Sequence, residues 1–152
     1  MTLTQLNQLP PVTRTEALAT CCGAAAWVDA INASFPVPNE QTLFDKASSI
    51  WYGLTKPDWL EAFTHHPKIG DVNALAAKFA STSAWAMGEQ GAVKQASIEV
   101  IEALAEGNRQ YEDKFGYIFI VCATGKTAEQ MLALLQQRLP NAPDMEIHLA
   151  MA

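Results

Sequence analysis

Apolar residues recur along this chain at three- and four-residue spacing, the period that lines side chains along one face of a helix. In AAWVDAINASF, Trp27, Ile31 and Phe35 form one such stripe, and Pro36 ends it. Asn39 is placed to cap EQTLFDKASSIWYGL, in which Leu43, Ala47, Ile50 and Trp51 share a face. Thr55 opens KPDWLEAFTHH, with Pro57 tolerated in the first turn and Asp58 favourable at the positive helix end. Upstream, TRTE at 13–16 reads as a capping box, Thr13 with Glu16, for a helix that stops near Gly23.

The second half repeats the pattern. Asp71 can cap VNALAAKFA, and Ser81 or Ser83 opens STSAWAMGEQGAV. SIEVIEALAEGNRQYEDKFG is the longest candidate, with Ile98, Ile101, Leu104 and Ala105 on one face and Gly116 as its stop. GKTAEQMLALLQQRL is amphipathic and ends at Pro140, and DMEIHLAMA begins another helix without a terminator. YIFIVCA, at 117–123, is β-branched and aromatic, but one strand cannot make a sheet. It reads as an extended crossing segment or a buried helix. The pattern predicts a single all-α domain over residues 1–152, a multi-helix bundle with one short extended segment near 117–122.

Composition narrows the partners. Of 152 residues, 49% are hydrophobic and 17% charged, the balance of a well-packed globule. A chain of this length buries roughly 70% of its unfolded surface and needs no disulfide or metal to fold. The net charge of −6, without a basic run, excludes the phosphate neutralisation that nucleic-acid binding depends on. No stretch approaches a membrane-spanning apolar run, and MTLTQLNQLPP lacks the basic and apolar regions of a secretory leader. Cys21, Cys22 and Cys122 are an odd set without CxxC spacing, which reads as buried thiols in a reducing compartment, the cytoplasm.

HHPKIGD, at 65–71, concentrates the candidate chemistry. As metal ligands, His65, His66, Asp71, Glu89 and His148 lack the i, i+4 spacing that turns two histidines to one ion, so no metal is expected. ATGKT, at 123–127, ends like a phosphate loop, but Ile120 stands where that loop needs its first glycine. No serine elbow or Cys–His pairing suggests a nucleophile. A proton donor fits better. A residue before proline is pushed out of the α region, so His66 must leave its helix beside the last carbonyls. Their partial negative charge favours an imidazolium, the form a general acid requires. On these local grounds alone, a plain solvated helix end is the stronger reading. Glu89 and Gln90 are likewise either ligand contacts or solvated groups.

Taken in order, the segments resemble one family. HHPKIGD, WAMGEQGAV, NRQYEDKFGYIFIVCATGK and MLALLQQRL are similar to stretches of the 2-oxo-4-hydroxy-4-carboxy-5-ureidoimidazoline (OHCU) decarboxylases. The resemblance runs from about Phe44 onward, with FDKASSIWYGL as an early helix. Its motifs are HPxIG, then EQ, then NxxYxxxFGxxFxxxAxGK. It implies an all-α homodimeric enzyme of urate degradation that makes (S)-allantoin from OHCU without cofactor or metal. By the same resemblance His66 is the catalytic acid, Pro67 shapes the pocket beside it, and Glu89 assists. The stretch Ala86, Met87, Gly88, Glu89 and Gln90 contacts substrate. So does the backbone of Val121, Cys122, Ala123, Thr124 and Gly125, while His65 inherits no role.

Two departures bear on that transfer. Many members have a serine where this chain has Ala86, which removes one hydroxyl contact. Members also continue past Ala152 into a helix bearing a ligand-binding arginine, and Arg138 lies too early to be its equivalent. The expectation is a sequence shortened at that end. A hydrolase of a related ureido compound, with Glu89 as base, and a non-enzymatic helical module are the competing readings.

Overall fold

The computed structural model describes residues 1–66, 92–123 and 126–152, with the first six of the second stretch traced by backbone alone. The chain divides into two compact units, Met1–His66 and Pro67–Ala152. All regular structure among the described residues is helical.

The first unit contains α1 (Leu3–Gln8), α2 (Pro11–Ala19), α3 (Ala25–Asn32), α4 (Glu40–Gly53) and α5 (Lys56–Thr64). Its core gathers Leu18, Ala24, Trp27, Val28, Ile31 and Ala62, with Leu43, Ala47, Ile50 and Trp51 of α4 packed against them. The α4 stripe is therefore the one its periodicity predicts. Asn39 caps α4 by accepting from the Thr42 N–H at 2.8 Å. Two indoles fasten neighbours to α4: Trp27 Nε1 donates to the Ala47 carbonyl and Trp59 Nε1 to that of Trp51, each at 3.0 Å. The second of these helps satisfy a carbonyl in the last turn of α4.

Two boundaries differ from the sequence reading. Thr13 is not a cap, because α2 starts at Pro11, whose fixed φ suits the first helical position. The α3 stripe stops at Asn32, four residues before Pro36. The Asn32 amide donates to the Pro11 carbonyl and to Thr15 Oγ1, and Arg14 Nε donates to Asn32 Oδ1 at 2.6 Å. Phe35 leaves the helix and lies under the Arg14 guanidinium, 4.5 Å from its ring centroid.

The second unit contains α6 (Ala92–Phe115), α7 (Ala128–Arg138) and α8 (Pro143–Met151). Ile101, Leu104 and Tyr111 give α6 a buried face, whereas Ile98, expected on that face, is exposed. α6 and α7 meet closely at Gly107, where a Cβ would fall 2.6 Å from Leu135 Cδ2. Gly116, at φ 80, ends α6 in the left-handed conformation that side chains disfavour. Thr127 caps α7 in a capping box with Gln130, so this helix starts three residues after Gly125. Between them, residues 117–123 adopt neither helix nor strand. The buried-helix alternative for this run therefore does not hold.

Candidate active site

α5 carries the first unit's candidate residues to its end. The Asp58 carboxylate accepts from both the N–H and the hydroxyl of Thr55, at 2.9 and 2.6 Å, and those bonds hold it below the usual carboxylate range. Trp59, Ala62 and Phe63 bury one face of the helix. Glu61 then reaches out of α5 and accepts from the Ala25 N–H at 3.1 Å, supplying an anion at the α3 N-terminus that Ala24 cannot provide.

One turn later His65 packs on Gly23. A Cβ built there would lie 2.3 Å from His65 Cγ and 2.4 Å from Cδ2, so the ring occupies the space that a side chain would need. His66 follows, exposed, with its N–H on the Phe63 carbonyl at 3.2 Å. Both histidines are exposed; His65 rests on the α2–α3 turn, and His66 lies just past the last turn of α5. The sequence reading gave His65 no role. A histidine and a glutamate at i and i−4 on one helix were the signal for a common contact.

In the second unit, Val121 and Ala123 are half-buried and Cys122 is exposed. Two cations hold the carbonyls of this segment. Arg138 Nη1 donates to Ile120 O at 2.8 Å, and Lys126 Nζ donates to Cys122 O at 2.7 Å. Lys126 is therefore engaged with its own loop, in keeping with the absence of a complete phosphate motif. Arg138 also donates through Nε to Glu146 Oε1 at 2.6 Å. Glu146 is fully buried, and its other oxygen accepts from Asn141 Nδ2 at 2.7 Å.

Tyr111 completes the cluster. Its hydroxyl donates to Glu146 Oε1 at 2.5 Å, and its ring meets those of Phe115, Tyr117 and Phe119 with centroids 4.5, 5.8 and 5.1 Å away. Burial first, and then the bond to Glu146, raise the Tyr111 hydroxyl far above the usual phenol range, which keeps it a neutral donor. Reading the sequence placed Tyr111 in the NxxYxxxFG motif without a role and missed Glu146. Its signal was a carboxylate on the same face as Ile147 and Ala150.

Pro67, Ala86, Met87, Gly88, Glu89, Gln90, Thr124 and Gly125 lie outside the described residues. The cysteines depart from expectation: Cys21 and Cys122 are exposed and Cys22 is half-buried. Burial, followed by the neighbouring Cys21 and Glu61, raises the Cys22 thiol against the opposing hydrogen bond at Ala24. Among the described residues, no three His, Cys, Asp or Glu side chains are grouped to hold a metal ion, and no helix is long and apolar enough to cross a membrane.

The described residues define an all-helical class, and comparison with known proteins defines the family. The family model described as OHCU decarboxylase matches residues 7–152, and the chain belongs to that family. It is 36% identical over 134 residues to the uric acid degradation bifunctional protein TTL of Arabidopsis thaliana. That match covers 86% of this chain and 40% of the relative, so the chain spans about two-fifths of that protein's length. A crystal structure of OHCU decarboxylase in the presence of (S)-allantoin superposes with a TM-score of 0.67 at 32% identity, covering 89% of this chain and 86% of that one. A structure of (S)-allantoin synthase gives a TM-score of 0.68 at 19% identity, covering 99% of this chain and 49% of that one, a likeness of fold.

Proposed function

We propose that this chain is an OHCU decarboxylase of urate degradation, a carboxy-lyase that releases CO2 and forms (S)-allantoin without cofactor or metal. The observation that carries the reading is the family match along residues 7–152, over which HPxIG, EQ and NxxYxxxFGxxFxxxAxGK keep their order. Both units act together as one domain, and the enzyme works as a homodimer in the cytoplasm.

The chemistry needs little beyond these residues. The bond from C4 to the carboxylate breaks, CO2 leaves, and the electron pair flows into the adjacent ring C=N. This leaves an enol at C4 that becomes the product carbonyl, its proton passing to the ring nitrogen, as the neighbouring carbon is protonated. The protein must orient the carboxylate out of the ring plane, stabilise the enol and deliver one proton to one face. His66 supplies that proton to carbon and recovers one from water. Its exposed ring beyond the last turn of α5 is open to a ligand. Glu89 binds the ureido or hydroxyl group and steadies His66 as imidazolium, with Pro67 shaping the pocket. Ala86, Met87, Gly88 and Gln90 contact the ring, and the backbone of Val121 to Gly125 lines it.

Freshly generated OHCU, followed by CO2 release and circular dichroism of the product, tests the reading. Optically active allantoin with stoichiometric CO2 is expected. Turnover without CO2 would identify a hydrolase, and no turnover a binding module; either result sinks the proposal.

A further inference from the structure

The mechanism above leaves unused a fully buried carboxylate, an arginine and a tyrosine that converge behind the segment it assigns to substrate. A buried ion pair is weak ground for stability, since desolvating two charges offsets much of their attraction. The Arg138–Glu146 pair is nevertheless fully equipped: Glu146 accepts from Arg138, Tyr111 and Asn141. That anchorage leaves one arm of the guanidinium, Nη1, directed at the Ile120 carbonyl.

Resting on the decarboxylase reading, we propose that Arg138, held by Glu146 and Tyr111, is a positioning residue for the substrate-lining backbone that begins at Val121. Lys126 is its counterpart two residues along, on the Cys122 carbonyl. Ile120 and Cys122 flank Val121, and a carbonyl clamped on each side limits rotation of the peptide groups between them. Two cations gripping Ile120 and Cys122 therefore fix the orientation of the peptide groups between and beside them. The Ala123 carbonyl is also engaged, accepting from the Lys126 N–H at 3.2 Å, so the peptide group of Val121 is held between anchored neighbours. The fork of an arginine suits this task, since it engages a carboxylate and a carbonyl at once in a fixed plane.

The test separates positioning from stability. Arg138→Lys keeps a cation against Glu146 but gives up the planar second arm. With the fold intact by circular dichroism, loss of one charge-assisted bond to the segment should raise KM about tenfold, with kcat within about threefold. The paired Arg138→Met/Glu146→Leu variant removes both buried charges together, a change that cores often tolerate. It should show the same KM-dominated loss.

A second readout does not depend on turnover. Alkylation of Cys122 by iodoacetamide, resolved from Cys21 and Cys22 by peptide mass spectrometry, should be slowed by (S)-allantoin in the parent. In both variants it should run severalfold faster and lose that protection. Folded variants with parental KM and parental Cys122 alkylation would overturn the positioning role. A parent that neither turns over OHCU nor gains protection from (S)-allantoin would overturn the decarboxylase reading instead; accelerated alkylation in the variants would still place the segment under Arg138.

Discussion

His65 and His66 are exposed neighbours with different contacts, and substitution should separate them. His66→Asn keeps a polar group of similar reach without the proton. Its exposed position keeps the stability change within about 1 kcal/mol. Stereospecific allantoin formation should fall by about 10²- to 10⁴-fold, the usual worth of general acid–base catalysis. Parental rates in His66→Asn would remove it from the mechanism. His65 has its ring on Gly23, so its contribution is mechanical. Gly23→Ala would drive a methyl into that ring, and overpacking of this kind costs about 1–3 kcal/mol. A thermal melt of Gly23→Ala that matches the parent would show that the contact yields freely. The HPxIG motif marked His66 from sequence alone. Gly23 was legible as a helix stop, but not as the seat of a ring, because that constraint comes from a residue 42 positions away.

Elements were legible wherever a local cap or stripe decided them. Asn39 caps as its side chain suggests, and the Thr55–Asp58 pair opens α5, whereas the Thr127 cap was not read from the sequence. The reading failed where a competing local preference won, as Pro11 did over Thr13, or where a long-range contact drew a residue away, as Arg14 did with Phe35. Asp58 gives the α5 cap a pH dependence with a definite sign. Its carboxyl is held below the ordinary value of 3.8, so its stabilising effect is fully present above that pH and is lost as pH falls through the lowered value. Melting temperatures of the parent and Asp58→Asn should therefore differ at pH 5 and converge toward pH 2. A constant difference across that range would exclude the carboxylate as the source.

At the scale of the whole molecule, the fold class was readable because one period dominates the chain, and the family because its motifs keep a specific order. The cluster around Glu146 was not, because its members come from α6, α7, α8 and the segment before α7, and each alone resembles an ordinary polar residue on a helix. The proposed cofactor-free chemistry makes one broad prediction: prolonged chelation should leave kcat/KM unchanged, and activity lost to chelator and restored by zinc would refute it. The same cluster also bears on the order of folding. The Tyr111–Glu146 bond joins residues 35 apart, and a buried carboxylate gains nothing until every donor has arrived. Such an arrangement belongs to the late side of the folding barrier, after α6 and α7 have paired. Breaking a buried pair costs about 3 kcal/mol, so Glu146→Gln should speed unfolding about a hundredfold and leave refolding nearly untouched. Stopped-flow measurements across a denaturant series would reveal this as a lifted unfolding arm alone; a slowed refolding arm would place the cluster in the nucleus. The buried charges would then act as a latch on the native state, lengthening its lifetime without hastening its arrival.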